Sequence, residues 1–262
     1  MNIRIGIPLA AVAVAVFAQC GDSTAPGVTD FDWSGTIDQG DAIEVKGVNG
    51  DVVATVATGS EVTVTATKQA QQSDPASVRI EVVPHPLGVT ICAVYPDVPG
   101  QPANECAPGG GGYLSAQNSD VQVDFAVRVP PGVDYVGTTV NGQVAGTALG
   151  SDAIGTTVNG DVSLRTSQLA TASTVNGAIA VAIGLTDWGR DLDFLAVNGN
   201  VTVEVPSATN AEARLATANG TISSEFPLTE VSPGNVQGTL GTGGHFLRLT
   251  TVNGNVRLDR GP

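Results

Sequence analysis

Lysine is almost missing from this chain of 262 residues, occurring only at Lys46 and Lys68. Charge of either sign is sparse and leans acidic, with a formal net charge of −14. A nucleic-acid partner is held by a clustered basic face that displaces counterions. No such cluster exists, so nucleic acid is excluded as a partner. Electrostatic binding to an anionic membrane surface fails for the same reason. Histidine is reduced to His85 and His245, and no Gly-x-Ser-x-Gly is present. A Ser-His-Asp set therefore finds no support. Those two histidines lie far apart without a cysteine cluster beside either, which also argues against a metal site, and no cofactor is implied.

Apolar runs long enough to cross a bilayer are also lacking. The one apolar run near the N-terminus, Ile5 to Ala18, follows Arg4 and has the build of a secretory signal. It ends at Phe17-Ala18-Gln19-Cys20, which resembles a bacterial lipoprotein cleavage box, although Gln19 departs from the small residue usual before the cysteine. We read residues 1–20 as a lipoprotein-type signal peptide with Cys20 as the lipidated residue, and 21–28 as a polar tether. Ordinary secretion with cleavage nearby is the alternative. Lipid on Cys20 would attach the protein to a membrane, with the outer membrane of the cell envelope as the expected location.

Only three cysteines are present. With Cys20 carrying lipid, Cys92 and Cys106 remain as an even pair in an oxidising compartment. They enclose Pro96, Pro99 and Pro102, a stiff loop that packs poorly without a staple. A disulfide is expected there, worth roughly 3 kcal/mol on a chain-entropy model; two buried free thiols are the alternative.

What is abundant is Gly, Val, Thr and Ala, a β composition rich in turns. Residues 29–132 read as an N-terminal β region. Phe31, Trp33 and Ile37 suggest a first strand whose aromatics cover one end of a core. Residues 61–69 and 121–129 alternate as half-buried strands should. The run Gly109 to Gly112 has neither a following Lys-Ser/Thr nor a helix, so a phosphate-cradling loop is rejected in favour of a flexible surface excursion.

One phrase then organises residues 133–258. Val-Asn-Gly, or Ala-Asn-Gly, occurs at Asn49, Asn141, Asn159, Asn176, Asn198, Asn219 and Asn253. The third residue after each Asn is Val or Ile: Val52, Val144, Val162, Ile179, Val201, Ile222 and Val256. Asn and Gly accept positive φ cheaply, so each copy reads as a tight corner between two β segments. Two all-β architectures compete. In a β-solenoid each repeat is a turn and the corners stack about 4.8 Å apart. In an antiparallel meander or sandwich each Asn-Gly is a hairpin. Constant residue types at constant offsets favour the solenoid, since a meander has no reason to keep them. In both cases the asparagines line one edge, and the interruptions at Gly184–Asp193 and Thr229–Gly244 are the expected binding loops.

This phrase, the approach Val123-Asp-Phe-Ala-Val-Arg-Val-Pro-Pro-Gly132 and the closing Gly243-Gly-His-Phe-Leu-Arg-Leu-Thr-Thr-Val-Asn-Gly-Asn-Val256 resemble one bacterial family. It is the putative-adhesin family of envelope proteins, catalogued as a domain of unknown function. The resemblance spans roughly residues 40–258 and implies a right-handed β-helix-like fold and attachment to the envelope. It brings no catalytic residues. The segment 84–119 and the break between Asn219 and Asn253 depart from the family pattern and leave the number of regular turns open.

Two constellations remain to be weighed. Asp187, Trp188, Arg190, Asp191 and Asp193 combine carboxylates, an arginine and a sugar-stacking ring in one interruption. They could form a carbohydrate-binding or polysaccharide-active patch, or a solvated loop whose tryptophan packs on the flank of the fold. Asp51 and Asp161 follow Asn-Gly, but the equivalent positions are Gln143, Ala178, Asn200, Thr221 and Asn255. A calcium ladder needs a repeated carboxylate, which is missing. The favoured reading is a non-enzymatic envelope lipoprotein that binds or scaffolds an unidentified protein or glycan. A carbohydrate-binding or carbohydrate-active protein and an accessory lipoprotein of an envelope sensing system are the alternatives.

Overall fold

The computed structural model describes residues 29–261; the signal segment, Cys20 and the tether lie outside the described residues. The N-terminal strands are β1 (Thr29–Gly35), β2 (Ala42–Lys46), β3 (Val52–Val56), β4 (Val62–Gln69), β5 (Arg79–His85), β6 (Gly88–Val94) and β7 (Gln122–Val129). Then come β8 (Asp134–Thr138), β9 (Val144–Leu149), β10 (Ala153–Thr156), β11 (Val162–Thr166), β12 (Ala170–Asn176), β13 (Ile179–Ala182), β14 (Leu192–Asn198) and β15 (Val201–Pro206). The last are β16 (Ala211–Asn219), β17 (Ile222–Ser224), β18 (Thr229–Ser232), β19 (Asn235–Leu240), β20 (Phe246–Asn253) and β21 (Val256–Gly261). No α-helix occurs among the described residues.

These strands form two sheets whose inner rows are parallel, as a solenoid requires and a meander does not. Each Asn-Gly corner carries the chain from the second sheet (β2, β8, β10, β12, β14, β16, β20) to the first (β3, β9, β11, β13, β15, β17, β21). The positions three after each asparagine stack in register: Val52 on Val144, Val144 on Val162, then Ile179, Val201, Val256 and Ile222. All but Ile222 are buried. Burial of such a side chain stabilises by about 1.5–3 kcal/mol, so this row supplies much of the drive to stack.

The order of the stack differs from the order of the chain. A coil here is one strand of the second sheet, a corner and one strand of the first. In space the coils run β6/β7, β2/β3, β8/β9, β10/β11, β12/β13, β14/β15, β20/β21, β16/β17. At the cysteine end the chain starts on the penultimate coil β2/β3, builds the end coil β6/β7 and crosses back to β8/β9; at the other end it skips a position and returns to fill it with β20/β21. The break between Asn219 and Asn253 belongs to this return: Asn253 stands between Asn198 and Asn219, not after them. Antiparallel strands finish the ends, β4 and β1 on β7, β5 on β6, and β19 and β18 on β16. The interruption Thr229–Gly244 is thus largely a hairpin that continues the second sheet rather than a loop. Phe31, Trp33 and Ile37 pack on the core at the β1 end. One core runs through both the 29–132 region and the repeats, from Ile43 to Leu258.

The asparagines form a continuous side-chain ladder. Asn141 Nδ2 donates to Asn49 Oδ1 (2.9 Å), and the pattern repeats from Asn159 to Asn141, Asn176 to Asn159, Asn198 to Asn176, Asn253 to Asn198 and Asn219 to Asn253 at 2.7–2.9 Å. None of these asparagines has positive φ, so the corners are not two-residue hairpins of the kind that demands it. Glycine is needed for a different reason. A Cβ on Gly177 would lie 1.9 Å from the carbonyl oxygen of Gly160, and one on Gly199 1.8 Å from that of Gly177. Stacked corners approach too closely for any side chain.

Two further ladders reinforce the corner. The hydroxyls of Thr139, Thr157, Thr174, Thr217 and Thr251, two residues before each asparagine, donate to the corner glycine carbonyl of the adjacent coil at 2.8–2.9 Å. All five threonines are buried. On the other side, Asp51, Asp161, Asn200 and Asn255 accept the backbone N–H of Gln143, Ala178, Asn255 and Thr221 at 2.7–2.9 Å. The two carboxylates after Asn-Gly are thus occupied in tying coils together.

The cysteine segment forms the long corner of the end coil β6/β7. Cys92 and Cys106 are disulfide-bonded, with Cα atoms 5.7 Å apart. The loop beyond is pinned more firmly than its glycines suggest. Lys46 Nζ donates to the carbonyls of Ala107 (2.7 Å) and Gly109, and Glu44 accepts from Gly109 N (2.9 Å) and Thr90 Oγ1 (2.7 Å). Glu44 and Lys46 are themselves paired at 3.5 Å and buried beneath it. A charge pair removed from water is tolerable only when its remaining donors and acceptors are met, as these are. Tyr95 closes the same corner with its hydroxyl on Val121 O (2.9 Å), and burial pushes its pKa up to about 12.

Gly177→Ala is expected to lower stability by roughly 2–3 kcal/mol, because the backbone of an adjacent coil must move. Gly189→Ala, where a Cβ meets nothing within 4 Å, is expected to change it by less than about 0.5 kcal/mol. Paired denaturant titrations check both.

Candidate functional site

The interruption singled out for ligand chemistry is used internally. Asp187 Oδ1 accepts from Asn210 Nδ2 at 2.9 Å. Trp188 is half-buried against the core, and its Nε1 has no hydrogen-bond partner. Arg190 turns away to Asp152 at 2.9 Å. Asp191 and Asp193 both hold Arg248, at 2.7 and 3.3 Å, and Asp191 also accepts from Phe246 N and faces His245 at 3.4 Å. The Phe246 N–H, followed by the Arg248 and His245 contacts, keeps the Asp191 carboxyl below its ordinary range. The five residues therefore disperse into four groups and do not converge on one ligand position.

Sequence reading missed Asp152, Arg214, His245, Phe246 and Arg248, the partners of this loop and their neighbour. Arg248 and Asp193 are register neighbours only because β20 lies beside β14. The guanidinium groups of Arg214 and Arg248 sit 4.1 and 4.5 Å from the Phe246 ring centroid, a cation–π arrangement. With Ala216, Val231, Val236 and Gln237 they line an open groove where the β18–β19 hairpin meets β16.

A second feature lies beside this groove. The outward positions on β10 and its corner are Ile154, Thr156 and Val158; on β12 they are Thr171, Ser173 and Val175. No charged side chain projects there. Leu195 and Val252 extend the same face. Exposures of 38–48% at Ile154, Val158, Val175, Leu195 and Val252 mark a neutral, β-branched strip on which side chains of adjacent coils align. The charged groove bounds it at one end. At the other end the cysteine loop covers the equivalent positions, burying Lys46 and Val48.

A family model for Toastrack DUF4097 matches residues 114–259, more than half of the chain. The chain belongs to the Toastrack DUF4097 family. Within the Toastrack match lie the coils from β8/β9 to β16/β17; β1 to β6 precede it. Among solved structures, a candidate cell adhesion protein from Clostridium sporogenes aligns over 88% of this chain and 99% of its own, at 7% identity and a TM-score of 0.46. A candidate adhesin from Bacteroides fragilis aligns over 88% and 96%, at 10% identity and a TM-score of 0.36. No curated protein matches.

In this Toastrack chain Arg190 does electrostatic work at the opposite corner. Burial and the neighbouring Asp152 raise the pKa of Asp134, and Arg190 opposes that rise. Arg190→Met leaves the two carboxylates uncompensated. The variant is expected to lose up to about 1 kcal/mol at neutral pH, the scale of a partly exposed ion pair. The sign follows from a raised folded-state pKa: the penalty is full above it, shrinks as pH falls through it, and is gone below the unfolded value near 4. Thermal melts of both proteins at neutral and acidic pH check this, with convergence in acid as the expected outcome.

Proposed function

We propose that this chain is a non-enzymatic cell-envelope protein, exported through residues 1–20 and held by lipid on Cys20 at the outer membrane. Its stacked domain serves as a stiff surface that binds or scaffolds a protein or glycan partner. The observation that carries this reading is the division of labour among side chains. The polar groups at the corners are consumed in coil-to-coil ladders, whereas the strip from Ile154 to Val252 is left uncovered. An exposed aligned apolar strip on a rigid sheet is a surface suited to a partner.

The carbohydrate reading loses support because Asp187, Arg190, Asp191 and Asp193 already have partners and Trp188 lies against the core. Two experiments separate the possibilities. Metabolic labelling with a fatty acid is expected to mark the wild-type protein and to fail with Cys20→Ala; labelling that survives the substitution removes the anchor. A glycan array is expected to show no binding that depends on Trp188. Binding that disappears with Trp188→Ala would restore the sugar-binding loop.

A further inference from the structure

An asparagine followed by glycine is chemically labile, because a glycine nitrogen lacks the neighbouring Cβ that hinders its approach to the asparagine side chain. Seven such pairs form the corner edge of this fold, and all but the Asn49–Gly50 pair present an exposed asparagine. Reaction requires a free glycine N–H and an asparagine amide free to rotate onto it.

Six copies meet neither requirement. Gly50, Gly142, Gly160, Gly177, Gly199 and Gly254 each donate their N–H to the asparagine carbonyl of the adjacent coil at 2.8–3.0 Å. Along the ladder, Asn141, Asn159, Asn176, Asn198 and Asn253 both donate and accept through their side-chain amides. At the cysteine-loop end, Asn49 accepts from Asn141, and Gly50 is buried.

The seventh copy differs because the chain places β16/β17 last in the stack. Among the described residues no coil lies beyond it, and Gly220 N has no hydrogen-bond partner. Gly220 is the one glycine of the seven classed as exposed. Asn219 holds a single amide bond, donated from Nδ2 to Asn253 Oδ1 at 2.9 Å, and its Oδ1 accepts none.

The geometry points to Asn219 as a site of spontaneous, fold-selected deamidation. The Gly220 nitrogen gives its proton to solvent and attacks Asn219 Cγ; the Cγ–Nδ2 bond breaks and ammonia leaves. Water then opens the five-membered imide at either carbonyl, yielding aspartate or isoaspartate without any redox partner. The product cannot donate to Asn253, adds a negative charge at the end of the ladder, and in the isoaspartate form lengthens the β16–β17 corner by one backbone carbon. The reaction would loosen the terminal coil while leaving the interior corners protected.

Peptide mapping by mass spectrometry tests this after the folded full chain has been aged at mildly alkaline pH. Residue 219 is expected to convert roughly tenfold or more faster than any other corner, since two fewer hydrogen bonds must break. In urea all seven pairs are expected to convert at comparable rates, and Asn219→Ser is expected to abolish the fast phase without accelerating the others. The proposal is overturned if another corner converts first, if the folded protein shows no preference, or if Asn219 leads equally in urea, which would assign the selectivity to local sequence. It is overturned too if folded Asn219 stays intact while the denatured chain is consumed.

Discussion

The fold rests on the contact between one Asn-Gly corner and the next. Parallel strands bring successive coils to about 4.8 Å, and at that distance the corner carbonyls leave no room for a Cβ. Glycine admits the approach, asparagine bonds along the stack, and threonine two residues earlier closes the glycine carbonyl from the buried side. Each corner residue interacts chiefly with its own counterpart in the next coil. The sequence repeats for that reason: a residue that suits one corner suits its neighbour. Where the pattern lapses, as at Ala196, which replaces threonine in the β14 coil, the hydroxyl bond to Gly177 is absent.

Stacking also creates ends, and exposed strand edges invite unwanted pairing. This chain meets the problem by topology. At the cysteine end it builds the penultimate coil, then the last, and crosses back; at the far end it passes over the penultimate position, builds the last coil and returns to fill the gap. At the cysteine end the segment from β4 to β7 adds antiparallel strands and a disulfide, and its loop covers the Glu44–Lys46 pair of β2. At the other end β20/β21 is wedged between two coils already laid down in the chain. The C-terminal strands are consequently interior, with Leu247, Leu249, Val256 and Leu258 fully buried. The stack closes only when the final residues are in place.

Much of this was legible in sequence. The buried row from Val52 to Val256, the asparagine ladder and the Cys92–Cys106 bridge follow from offsets and cysteine parity. The glycine argument was sound in outcome but only partly in cause, since close approach governs every corner and positive φ occurs at Gly50, Gly142 and Gly254 but at none of the asparagines. Coil order was not legible, because a constant motif labels every corner alike and carries no address. The same ignorance hid the partners of Asp191 and Asp193: Arg248 lies 55 residues beyond Asp193 and reaches it only through the insertion of β20. A loop rich in charge looked like a site when its counter-charges were still unplaced.

The face proposed for a partner is the outer side of the second sheet, bounded by the Arg214–Phe246–Arg248 groove and by the cysteine loop. That face is continuous only if the coils lie in the order described. Paired cysteine substitutions at outward positions measure this order directly. Leu195 pairs with Thr250, and Thr250 with Ala216, whereas Leu195 and Ala216 are two strands apart. A disulfide needs Cα atoms within about 7 Å. Oxidation is therefore expected to bridge residues 195 and 250, and residues 250 and 216. Efficient bridging of 195 to 216, with none from 195 to 250, would contradict the stack.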